Sequence, residues 1–161
     1  MSDDRDDAGR VARVVADADV LAADLLVGGP AREAMDLVRR HSWVTLLASD
    51  QLLDDAEAVI GDLADETLSM DWRERVDDLR TPVEHPDGDH PGLASAYRGE
   101  AGHLLTFEAR LRSVDANVSV QPYADLSVRS PDAFARLFDP QRVYPAVEDG
   151  EYPGPDRDPR G

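Results

Sequence analysis

The sequence predicts a single α/β domain with a mostly parallel central sheet. Short apolar runs rich in β-branched residues alternate along the chain with segments of helical pattern, which is typical of parallel α/β sheets. The length of 161 residues suits one domain with a sizeable core and short tails. The first such run, Val11 to Ala16, leads directly into two acids, Asp17 and Asp19.

Turn and capping residues divide the chain into elements. Gly28 and Gly29 end one helix, Pro30 suits the first turn of the next, and Ser49 or Asp50 can cap a third. We expect strands at 10–16, 43–48, 102–107 and 117–121, helices at 20–27, 30–41, 51–66, 68–79 and 93–101, a short helical or turn segment at 108–113, and a helix at 131–138 capped by Ser130.

The remaining segments are expected to lie outside regular structure. Residues 81–92 are a loop by their Pro and Gly content. Residues 1–9 are acidic and polar, unlike a signal peptide, and are expected to be disordered. Residues 139–161 are rich in proline and acids and are expected to form a flexible tail. The folded domain is therefore predicted to span 10–138.

Composition excludes several kinds of chemistry. The chain has no cysteine, which removes disulfides, structural thiolate zinc and cysteine nucleophiles. All 17 basic residues are arginine, which removes Schiff-base chemistry and the lysine of a P-loop. No run of about 18 apolar residues is present, so no membrane span is expected. These features favour a cytoplasmic protein.

The net charge of −17 has two interpretations. We favour adaptation to high salt, where an acidic surface keeps a protein solvated. The alternative is a surface that mimics nucleic acid or binds a basic partner. In molar salt the screening length is only about 3 Å, so the overall charge would oppose nucleic-acid binding little, and local contacts through arginine or a metal ion would decide it.

Acidic residues recur where the predicted strands end. Because the carboxyl ends of parallel strands share one sheet edge, these acids are expected to converge. Clustered carboxylates repel one another unless a cation joins them, and Mg²⁺ or Mn²⁺ is the usual partner for such oxygen ligands. The candidates are Asp17 and Asp19 after the first strand, Asp55 (or its neighbours Asp54 and Glu57) after the second, Asp89 before the 93–101 helix, and Glu108 after the third.

The order and spacing of these motifs resemble the PIN-domain family of metal-dependent nucleases, from Val11 to Phe138. That family begins with an apolar strand followed by Asp-Thr-Asn-Val-Leu, and its later motifs combine apolar strands and helices with single acids. The matching segments here are Asp17-Ala18-Asp19-Val20-Leu21, SDQLLDDA with Ser49 and Asp55, DHPGLASA with Asp89, Leu93 and Ala96, LLTFE with Thr106 and Glu108, and PDAF with Pro131 and Phe134.

The resemblance implies a three-layer α/β/α sandwich and an Mg²⁺- or Mn²⁺-dependent ribonuclease. It assigns the metal to Asp17, Asp55, Asp89 and Glu108, and supporting roles to Asp19, Ser49 and Thr106. Its other implied partners are RNA, an antitoxin protein and a second copy of the chain. Arg110 and Arg112 are candidate RNA contacts, although ion pairing with the abundant acids is the favoured interpretation. Relative to the family, Asp19 replaces Asn, Asp55 replaces Glu and Glu108 replaces Asp.

The residues also permit three other interpretations. The altered acids at Asp55 and Glu108 are also compatible with a catalytically inactive PIN-like module that binds nucleic acid or protein, alone or within a toxin–antitoxin pair. The 81–92 loop carries two histidines and two aspartates that could bind zinc, but a solvated loop is the favoured interpretation; these residues are His85, Asp87, Asp89 and His90. Asp17-x-Asp19 also resembles haloacid-dehalogenase phosphatases, but those need a later lysine, which this chain lacks.

Overall fold

The chain forms the predicted alternation of strands and helices. The computed structural model describes residues 9–112 and 126–159, and that part contains five strands and eight helices. The strands are β1 Arg13–Ala16, β2 Thr45–Ala48, β3 Thr81–Pro82, β4 His103–Leu105 and β5 Ser127–Arg129. The helices are α1 Ala18–Leu26, α2 Gly29–Arg39, α3 Asp50–Leu63, α4 Glu66–Leu79, α5 Pro91–Arg98, α6 Ala109–Arg112, α7 Pro131–Leu137 and α8 Pro140–Val147.

The strands form one parallel sheet in the order β3-β2-β1-β4-β5. Val14 in β1 pairs with Leu46 of β2 on one side and with His103 of β4 on the other. Leu105 of β4 pairs with Arg129 of β5. The predicted α/β class is confirmed, and all described strand pairs are parallel.

The strand order places helices on both faces of the sheet. The steps from β1 to β2 and from β2 to β3 run in one direction, and the step from β3 to β4 runs back. Because crossovers between parallel strands are right-handed, α1 to α4 lie on one face and α5 lies on the other. In agreement, α1 contacts α2 and α3, α3 contacts α4, and α5 packs across β1, β2 and β4. The architecture is compatible with a three-layer α/β/α sandwich.

Hydroxyl side chains begin two helices as the sequence predicted. Ser49 accepts a hydrogen bond from the Leu52 N–H at 3.1 Å and so begins α3. Ser130 accepts one from the Ala133 N–H at 3.2 Å and begins α7. These bonds satisfy backbone donors that have no partner within the helix.

The longest described helices have 14 residues, and no described helix has the length and apolar character needed to cross a membrane.

Strand boundaries differ from the prediction where strands are short. β1 begins at Arg13 and not at residue 10, β3 (Thr81–Pro82) lies inside the predicted loop 81–92, and β5 (Ser127–Arg129) was not predicted. Strands of two or three residues are too short to show an alternating pattern. The strand predicted at 117–121 and residues 1–8 of the predicted disordered segment lie outside the described residues.

The segment from residue 139 is structured, in contrast to the predicted flexible tail. Its first part forms α8, and its rings pack on Trp43, with Tyr144 at 5.3 Å and Tyr152 at 6.5 Å between ring centroids. The Tyr152 hydroxyl also donates to Nε2 of buried His41 at 2.6 Å. Contacts among Trp43, Tyr144 and Tyr152 therefore hold the segment after residue 139 in place, although its proline content predicted flexibility.

Burial of His103 makes stability depend on pH. Its ring packs edge-on against the stacked rings of Phe134 and Phe138, with ring centroids 5.2 and 5.8 Å away. Burial lowers its pKa from 6.5 to about 4, although Nε2–H donates to the Val11 carbonyl at 3.1 Å. The unfolded chain therefore binds more protons between these two pH values, and the folded state loses stability as pH falls from about 6.5 towards 4.

We predict that His103→Gln flattens this dependence. Linkage gives a slope of up to about 1.4 kcal/mol per pH unit from this one group, and the glutamine amide keeps a donor for Val11 without titrating. Urea unfolding of both proteins at pH 7 and pH 5 measures the difference, and carboxylate titration is common to the two. Parallel pH curves for wild type and variant would contradict this account.

Candidate functional site

Among the five described strands, the order has one topological switch point, between β1 and β4. Connections leave β1 towards β2 and β3, then return past β1 to β4 and β5. In open α/β sheets the crevice beyond the strand ends at such a point is where ligands bind. Asp17 follows β1 there, and Thr106, Phe107 and Glu108 follow β4.

Asp17 is buried and fixed from two sides. Its side chain is 10% exposed. Oδ1 accepts a hydrogen bond from the Ala18 N–H at 3.0 Å, which places the carboxylate at the amino end of α1. Oδ2 accepts one from the Thr106 hydroxyl at 3.0 Å. Both oxygens of this buried carboxylate therefore accept a hydrogen bond.

The turn after β4 holds two further acids against Asp17. The Phe107 N–H donates to Oδ2 of Asp19 at 3.2 Å, and the Glu108 N–H donates to the Thr106 hydroxyl oxygen at 3.1 Å. Thr106 therefore donates to one carboxylate and fixes the backbone of the residue that carries another. The supporting positions predicted for Asp19 and Thr106 are both found at this turn.

The pKa of Asp19 is raised by its surroundings at this site. Burial raises the pKa of this carboxyl, the neighbouring carboxylate of Asp17 raises it further, and the hydrogen bonds from the backbone N–H groups of Phe107 and Val20 lower it. Its Oδ1 is buried and has no hydrogen-bond partner among the described residues. A cation at this point would reduce the repulsion between the carboxylates of Asp17 and Asp19. It would also give Oδ1 of Asp19 a partner.

The amino end of α5 closes the site from the other face of the sheet. His90 caps this helix, with Nδ1 accepting from the Leu93 N–H at 3.3 Å. Its Nε2 lies 3.9 Å from Oδ2 of Asp17 and 3.7 Å from Oε2 of Glu108. A Cβ at Gly92 would lie 2.9 Å from Oδ1 of Asp17, so the absence of a side chain there permits this close approach.

Asp17, His90 and Glu108 form a group with metal-binding side chains. One potential ligand atom from each lies within 4.8 Å of the others. A neutral imidazole that accepts at Nδ1 carries its proton on Nε2, so the cap opposes metal ligation by His90 in this arrangement. The two carboxylates are the better ligands, and Nε2–H is a donor facing them.

The structure does not bring Asp55 into this group. Leu52, Leu53 and Ala56 form the buried face of α3, and Asp55 lies on its exposed face. Asp54 and Glu57, the alternatives to Asp55 as a metal ligand, are also directed elsewhere. Arg73 donates to Asp54 at 2.7 Å and to Glu57 at 3.3 Å. The helical period thus separates Asp55 from the edge that Asp17 occupies.

Asp89 is also outside the group, and its neighbour His90 takes the place expected for it. Asp89 is exposed. Pro91 occupies the first helical position, a preference that marks residue 90 as the cap. That signal was present in the sequence and identifies His90 as the side chain facing the helix start.

The other residues of the loop serve its own packing. Nε2 of His85 lies 2.8 Å from the buried Ser49 hydroxyl, and Gln51 donates to Asp87 at 3.0 Å. Ser49 therefore supports the loop that leads to His90, and it is not among the grouped ligands. Within the described residues, the four side chains weighed for zinc do not form a metal group of their own.

The two arginines predicted to contact RNA differ in their surroundings. Arg110 lies on exposed α6, two residues after Glu108. Arg112 is half-buried, and its Nη2 donates to the Phe107 carbonyl at 3.3 Å, which stabilises the turn after β4. Arg110 is the more exposed of the two, and it also interacts within the chain.

Fold and site together define a parallel α/β protein with paired carboxylates at the switch point of its sheet. The chain belongs to the family of unknown function DUF7384, whose match covers residues 8–160. That match includes the segment after residue 138, which the sequence had placed outside the domain. No curated protein and no solved structure matches the chain.

Gly92 provides a stability test of the close contact with Asp17. We predict that Gly92→Ala lowers the free energy of unfolding by about 1–3 kcal/mol, the usual cost of overpacking. Gly61 in α3 is the matched control, since a Cβ there meets Ser69 Oγ at an ordinary 3.6 Å. Gly61→Ala should raise stability by about 0.5–1 kcal/mol through helix propensity. Urea unfolding measures both, and a Gly92→Ala protein as stable as wild type would refute the contact.

Proposed function

We propose that this protein is a PIN-like, divalent-metal-dependent ribonuclease that hydrolyses RNA phosphodiester bonds. The observation that carries the proposal is the meeting of buried Asp17 with Glu108 at the switch point, through the turn that Thr106 organises. The order of motifs that resembles the PIN family supports the same function. The parallel sheet is the kind of scaffold that the resemblance implies.

The donor set suits Mg²⁺ or Mn²⁺. Carboxylate oxygens are the ligands these hard cations prefer, and Asp17 and Glu108 supply them from two adjacent strands. Asp19 lies outside the grouped ligands, but its charge acts on the same site. A bound ion would supply charge neutralisation at the phosphodiester and activation of water.

The side chains of the chain would divide the remaining work. Asp17 and Glu108 would hold the ion, and Thr106 would keep both in register. His90 would hold a proton at Nε2 between the two carboxylates, where it can donate to a phosphate oxygen. Arg110 on α6 would attract the RNA backbone locally, where the net charge of −17 gives no general attraction.

A second candidate is a PIN-like module that binds RNA or protein without cleaving it. Asp55 and Asp89, two of the four ligands implied by the resemblance, lie outside the grouped ligands. The remaining pair of carboxylates would hold an ion more weakly than four. Binding of RNA without cleavage would favour this candidate.

Cleavage of labelled single-stranded RNA in Mn²⁺ and high KCl tests the proposal. We predict that Asp17→Asn and Glu108→Gln each lower the rate at least about 100-fold, because loss of second-shell partners alone costs 10- to 100-fold in metal sites. Asparagine still caps α1, so Asp17→Asn is expected to fold, and thermal unfolding checks that it does.

Asp55→Asn is the matched control. It removes one carboxylate from a neighbouring helix and leaves the grouped side chains intact, so its rate should equal that of wild type. Equal cleavage by wild type and Asp17→Asn would contradict the proposed site. A large loss in Asp55→Asn would show that the ligand set implied by the resemblance is correct and that the group described here is incomplete.

A further inference from the structure

A cleft of about 640 Å³ lies away from the carboxylate pair, between α1, α2, α4 and the segment at 157–159. Its size falls within the range of small-molecule pockets. Neither Asp17 nor Glu108 lines it. The cleft is therefore a separate place on the molecule from the proposed nuclease site.

The cleft has an apolar floor. Leu21 from α1, Met35 from α2, and Trp72 and Val76 from α4 line it, and all four side chains are at most 8% exposed. These residues come from three helices that pack together on one face of the sheet. A ligand with an apolar body would lose water-exposed surface against them.

The polar walls carry four arginines and three aspartates, so arginine is in excess by one; the aspartates are Asp24, Asp78 and Asp158. Arg39 is already neutralised, because it donates to both carboxylate oxygens of Asp24 at 2.7 Å and to Asp36. Arg32 donates instead to the backbone carbonyls of Asp24 and Leu25 at the end of α1, so no carboxylate meets its charge within the described part of the chain.

Two further arginines on the rim are similarly placed. Arg75 on α4 is exposed and forms no ion pair with any described residue, and Arg157 forms none either. This is unusual for a chain in which acids outnumber arginines by 34 to 17. Arg32, Arg75 and Arg157 thus line one cleft and form no ion pair with a carboxylate in the described structure, although Asp78 and Asp158 share its walls and the charge of Arg157 acts on Asp156.

The C-terminal segment holds Arg157 in place. The Ser42 N–H and hydroxyl both donate to the carboxylate of Asp156. The backbone N–H groups of Asp156 and Arg157 donate to the Arg40 carbonyl at 2.9 and 3.1 Å. The Arg157 guanidinium donates to the His41 carbonyl at 3.0 Å, which leaves its other donors available.

We propose that this cleft binds a small amphipathic anion, an apolar body that carries one carboxylate or phosphate group. The buried floor accepts the apolar body. The guanidinium groups of Arg75 and Arg157 accept the anion, for which their planar donors are well matched. This site is independent of the proposed nuclease activity.

Anilinonaphthalene sulfonate is a suitable probe, since it joins an apolar ring system to one anionic group. We expect saturable binding at one site per chain by fluorescence titration of the full-length protein. The double variant Arg75→Gln, Arg157→Gln should weaken binding about tenfold or more, the usual consequence of losing hydrogen bonds to a charged group. Arg142→Gln, on exposed α8 and outside the cleft, is the matched control and should bind as wild type.

The neutral dye phenylnaphthylamine, which lacks the sulfonate, should bind more weakly than the anion to wild type and equally to wild type and the double variant. Displacement of the anionic dye by octanoate would identify a carboxylate ligand, and displacement by phenyl phosphate a phosphate ligand. Displacement by neither, or unchanged dye affinity in the double variant, would overturn the proposal. Thermal unfolding confirms that each variant is folded.

Discussion

The hydrogen bond from Thr106 to the buried carboxylate of Asp17 is the interaction on which the site depends. It joins the ends of β1 and β4, the two neighbouring strands between which the chain reverses its direction across the sheet. A buried charge is costly unless hydrogen bonds and opposite charge compensate it. Here the compensation comes from Thr106 and the amino end of α1. The same hydroxyl orients Glu108, so one short turn sets the geometry of both carboxylates.

Repulsion remains among the acids at this edge of the sheet and supports the proposed cation there. Asp19 is half-buried beside Asp17, and its pKa is raised first by burial and then by the neighbouring carboxylate. His90 supplies a donor from α5 but uses Nδ1 to cap that helix, so it is a partner for the carboxylates more than a ligand. An ion held by Asp17 and Glu108 would complete the neutralisation that these neighbours begin.

Much of this edge could be predicted from sequence, because Asp17, Thr106 and Glu108 each follow a buried strand and parallel strands share one edge. Acids on helices were less predictable: the position of Asp55 depends on the rotation of α3 about its axis, which no strand fixes. Asp89 lies one residue before the helix cap, His90, and is exposed. The packing of residues after 139 could not be predicted from their proline and acid content. That content indicates only local backbone preferences, whereas the segment is held by contacts with the distant aromatic ring of Trp43.

A crystal soaked in Mn²⁺ and measured at a wavelength with anomalous scattering from manganese tests the central claim most directly. The account predicts an anomalous peak within coordination distance of carboxylate oxygens of both Asp17 and Glu108. The same soak of Asp17→Asn should show no peak there. Absence of a peak at this point in the wild-type crystal, or a peak held by Asp55 on the exposed face of α3, would contradict it.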